Sequence, residues 1–262
     1  MKKVNKSPII YLVLLMIALG SLAYTTVSAV RATPSEESDE YTATMISSNI
    51  GVTLQEGDSE KDSWTNVAYR NYNGSSWDPA KGVMGSEIFA GLNLEAGVSY
   101  KDEFRVMNSG TIDEFVRVIV YKYWLDEEDN KDTSLDASLI TLDYNEAGNW
   151  AKDTKFSTSE KEIWYYLKPL AADDYTDVLI KGLQLDGAIK LLYTEDEIVN
   201  EVVDESGKTI YTTITYDYAY NGKSFKVLLE VDGVQIKHGE DAVKSAWGRD
   251  VTVGEDGSLK LQ

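Results

Sequence analysis

The 262-residue chain has no cysteine and a single histidine, His238. Without thiols there is no disulfide scaffold, no thiolate nucleophile and no cysteine-ligated zinc site. One imidazole rules out the two-histidine helical motif of a zinc protease, and any Ser-His-Asp arrangement would have to be built on His238 alone. Basic residues are scarce. The 25 present face 44 acids, and the resulting formal charge of −19 opposes any function that begins by gathering phosphates, so nucleic acid is not an expected partner. At 43% hydrophobic residues, however, the chain is too apolar for general disorder. Its length suits one large β domain or two small ones.

One long apolar run is present, close to residue 1. Lys2, Lys3 and Lys6 precede an uncharged stretch over residues 9–30, and small residues close it at Val27, Ser28 and Ala29. Charged, apolar and small-residue regions in that order make a secretory signal peptide. Residues 1–29 are therefore expected to be removed by a signal peptidase, a transient partner that cuts after Ala29 or, alternatively, after Ala32. An uncleaved anchor is the rival reading, because 22 uncharged residues just span a bilayer. Gly20, Ser21, Thr25, Thr26 and Ser28 dilute the second half and weigh against it. Cleavage takes away three lysines and no acid, which moves the charge from −19 to −22. No second run is long enough to span a membrane, so no stable insertion is expected after cleavage. A disulfide-free exported chain of this size fits a bacterial exterior.

Residues 33–40 (TPSEESDE) are polar and acidic, and a flexible leader is expected over 30–48. A single domain is then expected over 49–262. Ile50, Val52 and Leu54 alternate with Gly51, Thr53 and Gln55, which predicts a short strand with one apolar face. The Gly/Asn/Ser-rich stretch 71–82 reads as a loop. Phe104 and Val106 belong to a second strand that stops at Asn108-Ser109-Gly110. The run 115–124 is β-branched, aromatic and almost continuously apolar, as suits a central strand buried on both faces.

Further strands are predicted at 163–167, 178–185, 209–218 and 224–236. In the last, the apolar residues change parity at Asp232-Gly233, which predicts a β-bulge. Asn221-Gly222 predicts a two-residue hairpin turn joining the final two strands. Residues 240–247 predict a short helix from the spacing of Ala242, Val243, Ala246 and Trp247. Residues 195–203 fit helix or strand. The fold class is all-β: an antiparallel β sandwich with one or two short helices.

Three sets of residues invite a chemical role. His238 stands between Lys237 and Gly239, where a solvated loop histidine is a better reading than a metal ligand. Asp126, Glu128, Asn130 and Asp132 place oxygen ligands at alternate positions, as calcium loops do. Lys131 occupies the position where such a loop turns on glycine, and Ala137 stands where its bidentate glutamate belongs. A solvated inter-strand loop is preferred, with weak calcium binding as the side hypothesis. No cofactor is expected. Trp64, Tyr69, Tyr72 and Trp77 flank the glycine-rich loop and invite a sugar-binding reading, although aromatics in a β protein are mostly core and cross-strand residues.

Several blocks together carry a resemblance: NIGVTLQE at 49–56, AG at 96–97 with YK at 100–101, VMNSGTIDEFVRV at 106–118 with YW at 123–124, EVDGVQ at 230–235 and EDAVKSAWG at 240–248. Spread over most of the chain and preceded by an export signal, they resemble the TasA/camelysin-like group of Firmicutes proteins exported with a SipW-dependent type of signal peptide. The chain lacks the aromatic segment that follows the cleavage site in the best-known members. The resemblance implies a jelly-roll-like β sandwich, a place in the extracellular matrix or on the surface of a Gram-positive cell, and assembly into biofilm fibres with copies of itself or related matrix subunits. In that scheme an N-terminal segment completes a neighbour's sheet, and the corresponding residues here are the leader and the strand Ile50, Val52, Leu54. Camelysin is described as a metallopeptidase, but no recognisable ligand set supports carrying that activity over. An adhesive module for glycan or host protein is the other alternative.

Overall fold

The computed structural model describes residues 48–72, 76–79, 81–82, 94–204 and 207–262, and within 196–213 the backbone alone. The expected signal peptide and the leader up to residue 47 lie outside the described residues, as do 73–75 and 80 of the glycine-rich loop. No helix among the described residues is long and apolar enough to cross a membrane.

Two antiparallel sheets face each other. The first contains β1 (Ile50–Asp58), β2 (Ser63–Tyr72), β3 (Lys81–Gly82), β4 (Ser99–Asn108), β7 (Ile140–Tyr144) and β10 (Ile180–Leu185), in the order β3-β2-β1-β4-β10-β7. The second contains β5 (Glu114–Leu125), β8 (Trp150–Lys152), β9 (Lys161–Tyr166) and β13 (Phe225–Gln235), in the order β13-β5-β9-β8, with β6 (Lys131–Asp132) paired to the end of β5. Val52, Leu54, Phe104, Val106 and Leu183 of the first sheet share one buried cluster with Val116, Val118, Val120, Trp164 and Leu229 of the second. Each of these side chains stabilises the fold by roughly 1.5–3 kcal/mol through burial. Lys122 sits among them and ties the layers. Its Nζ donates to the Ile140 carbonyl of β7 at 2.7 Å and pairs with Glu162 of β9 at 3.2 Å.

The odd-numbered face of β5 is covered as well. Phe115 and Ile119 pack with Val243 of α1 (Gly239–Trp247) and with Val251 and Leu259 of the hairpin formed by β14 (Val251–Val253) and β15 (Leu259–Leu261). This two-sided burial is why the run 115–124 carries so little polar alternation. The all-β sandwich expected from the sequence is the fold found, and its one α-helix among the described residues lies where the spacing predicts it.

The corner between β4 and β5 is held by Asn108, which is fully buried. Its Nδ2 donates to the Ile112 and Leu170 carbonyls, and its Oδ1 accepts from the Gly110 amide. A Cβ on Gly110 would meet the Asn49 carbonyl at 2.5 Å, so only glycine lets the start of β1 lie this close. The N-x-G portion of the 106–118 block is thus a structural corner.

Two sequence expectations need correction. No bulge interrupts β13 against β5: the register runs unbroken from Phe225↔Trp124 to Gln235↔Glu114. The parity change reflects a change of cover, because Val227, Leu229 and Val231 face the inter-sheet core while Val234 faces the cluster under α1. Asn221-Gly222 is a turn, with Gly222 at φ +71°, but it does not make a hairpin of the flanking strands. β13 pairs with β5, whereas β12 (Gly207–Tyr218) pairs with β11 (Tyr193–Asp204) over twelve residue pairs. Longer complementary registers elsewhere outcompete the local turn. The ambiguous stretch 195–203 is strand, and β2, β7 and β8 are strands that the periodicity did not mark.

Candidate functional site

The strand expected to exchange between subunits is an internal strand of its own sheet. β1 is paired by β2 along one edge and by β4 along the other, with Val52 and Leu54 buried and Ile50 half-buried. An exchange role would require it to leave both neighbours.

The acidic turn 126–132 uses its oxygens on its own backbone. Asp126 Oδ1 accepts from the amides of Glu128 at 3.0 Å and Asn130 at 2.7 Å, and Asp132 Oδ1 accepts from Ser134. Among the described residues no group of three or more His, Asp or Glu side chains converges on a metal position. His238 is exposed, in left-handed backbone conformation at the start of α1, where its carbonyl accepts from the Ala242 amide.

Two surfaces among the described residues stand out beyond the packing of the sandwich. The first is the arm made by β11 and β12, which form a separate two-stranded sheet. In an antiparallel pair, directly opposed residues share a face, so Tyr193 opposite Tyr218 lies beside Tyr216 and Ile214. The rings are in contact: Tyr193 meets Tyr216 edge to face at 5.2 Å and lies tilted against Tyr218 at 5.4 Å. Despite this, Ile214, Tyr216, Tyr218 and Tyr193 are all exposed, and Leu191 and Leu192 at the base of the arm add to the patch. An isolated two-stranded sheet is marginal in water, and among the described residues neither outer edge of this one has a partner strand.

The second is a cleft of about 530 Å³ at the seam between β2, β13 and α1. Arg70 and Arg117 both bond to the Asp232 carboxylate, one at each oxygen. Arg70 also donates from Nε to the Val231 carbonyl at 2.9 Å, which caps part of the free edge of β13. Each guanidinium lies over an indole, Arg70 4.7 Å from Trp77 and Arg117 5.0 Å from Trp247. Tyr72 meets Trp77 edge-on at 5.7 Å, and Glu230, Gln235 and Ser245 also line the cleft. Of the four aromatics singled out around the glycine-rich loop, Tyr72 and Trp77 are brought together here. Trp64 lies elsewhere, 3.9 Å under the Arg105 guanidinium, and Tyr69 lies under Lys81. Sequence reasoning missed Arg70, Arg117, Asp232 and Trp247. The only available signal was that blocks near 49–56, 106–118, 230–235 and 240–248 each contribute a residue to this one place.

Beneath the cleft floor the Glu114 carboxyl is fully buried, and neither of its oxygens makes a well-aligned hydrogen bond. Burial pushes it up to about 9, against a weaker opposing pull from the Gly51 amide, so it is neutral at pH 7. A Cβ on Gly233 would lie 2.7 Å from Glu114 Oε2, which explains the glycine on the core-facing side of β13. Elsewhere, burial and then the Glu56 charge raise Asp102 to about 7.

No protein-family model matches this chain, and no curated protein matches it either.

Proposed function

We propose that the protein is an exported structural protein of the extracellular matrix or cell surface of a Gram-positive bacterium, working by association with copies of itself or with related subunits. The observation that carries this reading is the β11–β12 arm, a two-stranded sheet that has no further partner strand among the described residues and that leaves Tyr193, Ile214, Tyr216 and Tyr218 exposed. Such an arm gains stability by adding strands or by burying that face. The charges favour one edge. β11 holds Glu195, Asp196, Glu197, Glu201 and Asp204 and no basic residue, so two β11 edges repel, whereas residues 209–216 of β12 (TIYTTITY) are uncharged and strongly β-forming. β12 is therefore the edge through which copies pair. The charge of −22 on the mature chain opposes association, and salt or acid pH relieves it.

The test is sedimentation velocity with electron microscopy on residues 30–262, over pH from about 4 to 8 at low and high salt. Assembly is expected to rise with salt and acidity, and a double variant, Ile214→Lys with Tyr216→Lys, is expected to stay monomeric at an unchanged melting temperature. A wild-type chain that is monomeric under every condition overturns the proposal, and so does a double variant that assembles equally well.

A further inference from the structure

We infer that the cleft between β2, β13 and α1 is a binding site for a neutral hexose oligosaccharide, independent of the arm. It sits at a seam where three elements converge, and its volume falls within the roughly 300–1,000 Å³ range of small-molecule sites. Its composition selects the ligand. Arg70 and Arg117 are balanced by Asp232 and Glu230, so the lining carries no net charge to attract a simple anion or cation. The field of a chain with 44 acids and 25 bases further disfavours an acidic sugar.

What the lining does offer is apolar ring surface from Trp77, Trp247 and Tyr72 beside directional donors and acceptors from Glu230, Gln235 and Ser245. A pyranose matches that mixture, with C–H faces for the indoles and hydroxyls that both donate and accept. The site is also held in place before a ligand arrives. Asp232 is gripped by both arginines, Arg70 is fixed to the Val231 carbonyl, and each indole is stacked by a guanidinium. That order lowers the entropic cost of binding. Glu230, at 38% side-chain exposure, is the most accessible of the four charged groups and the one placed to meet hydroxyls.

Isothermal titration of residues 30–262 with cellotriose, maltotriose and chitotriose, and with trigalacturonate as the charged comparison, tests this. Saturable binding of at least one neutral trisaccharide is expected, with a Kd on the order of 0.1–1 mM. Trp247→Ala should weaken it at least tenfold, and Trp64→Ala, outside the cleft, should leave it unchanged. Because Trp247, the last residue of α1, also packs against the buried cluster that contains Tyr165, Ser245→Tyr provides a second variant: Ser245 is exposed on α1, and the added ring fills the cleft without disturbing the core. It should abolish binding at an unchanged melting temperature, and assembly should survive it. The inference is overturned if no neutral trisaccharide saturates, if trigalacturonate binds in their place, or if binding persists in Ser245→Tyr.

Discussion

The run 115–124 in β5 and the run 209–218 in β12 are both rich in β-branched and aromatic residues, yet the molecule treats them in opposite ways. β5 has a strand on each edge, the sandwich core on one face, and α1 with the C-terminal hairpin on the other. Among the described residues β12 has one neighbour, and its Tyr216 and Tyr218 are exposed. Strand propensity is a local property that both runs possess. Cover comes from distant parts of the chain and reaches only one of them. The difference separates a stabilising element from an interacting one: substitutions in β5 and its cover should cost folding energy, and substitutions in the arm should cost association.

The largest effect should come from β5 itself. Phe115→Ala removes a ring clamped under α1 and is expected to destabilise the fold by about 3–5 kcal/mol, read by urea denaturation. The cover should be nearly as sensitive. Arg249, which donates to the Gln262 carbonyl, meets the fully buried Asp153 carboxylate at 2.8 Å as an ion pair without hydrogen-bond alignment. Arg249→Ala strands that carboxylate and should also cost about 3–5 kcal/mol. If either variant left stability unchanged, two-sided burial would not be what sets β5 apart.

The next effect has the opposite sign and depends on pH. The folded chain keeps the Glu114 proton up to about pH 9, whereas the unfolded chain releases it near the ordinary value of 4.5. The unfolded state therefore gains stability relative to the folded state as pH rises between those values, by about 1.4 kcal/mol per pH unit. Glu114→Gln stays neutral, so it should stabilise the protein by about 3 kcal/mol at pH 7 and leave it unchanged at pH 4. Thermal melts at the two pH values check the sign. Asp102→Asn should act in the same direction over a narrower window, flattening the decline in stability between its ordinary value of 3.8 and about pH 7. The smallest effect on folding belongs to the arm. Tyr216→Ser should change monomer stability by less than about 0.5 kcal/mol while weakening assembly, and a large stability loss would mean that the arm is covered in the single chain after all.

Much of the sandwich was legible. Alternation marked β1, continuous apolarity marked β5 as a strand covered on both faces, and residue spacing marked α1. β2 escaped because its outward positions are Asn, Thr and Tyr beside a glycine-rich loop, so the alternation is weak. The bulge in β13 was misread because a parity change looks the same whether the backbone slips or the cover changes sides. The cleft was legible only in fragments. Tyr72 and Trp77 stood out as aromatics, but nothing local reveals that Arg117 and Asp232 lie opposite each other across β5 and β13, 115 positions apart in the chain.

By itself the sequence determined the more strongly patterned strand-forming segments, the turns at Gly110 and Gly222, the acidic balance and the absence of thiol or paired-imidazole chemistry, because each is a property of composition or of near neighbours. Tertiary structure alone decided which strands pair, that β1 is internal, which of 44 acids meet an arginine, and that β12 is left uncovered. Those outcomes are long-range competitions between alternative partners of similar local quality, and they are settled by the packing of the whole sandwich.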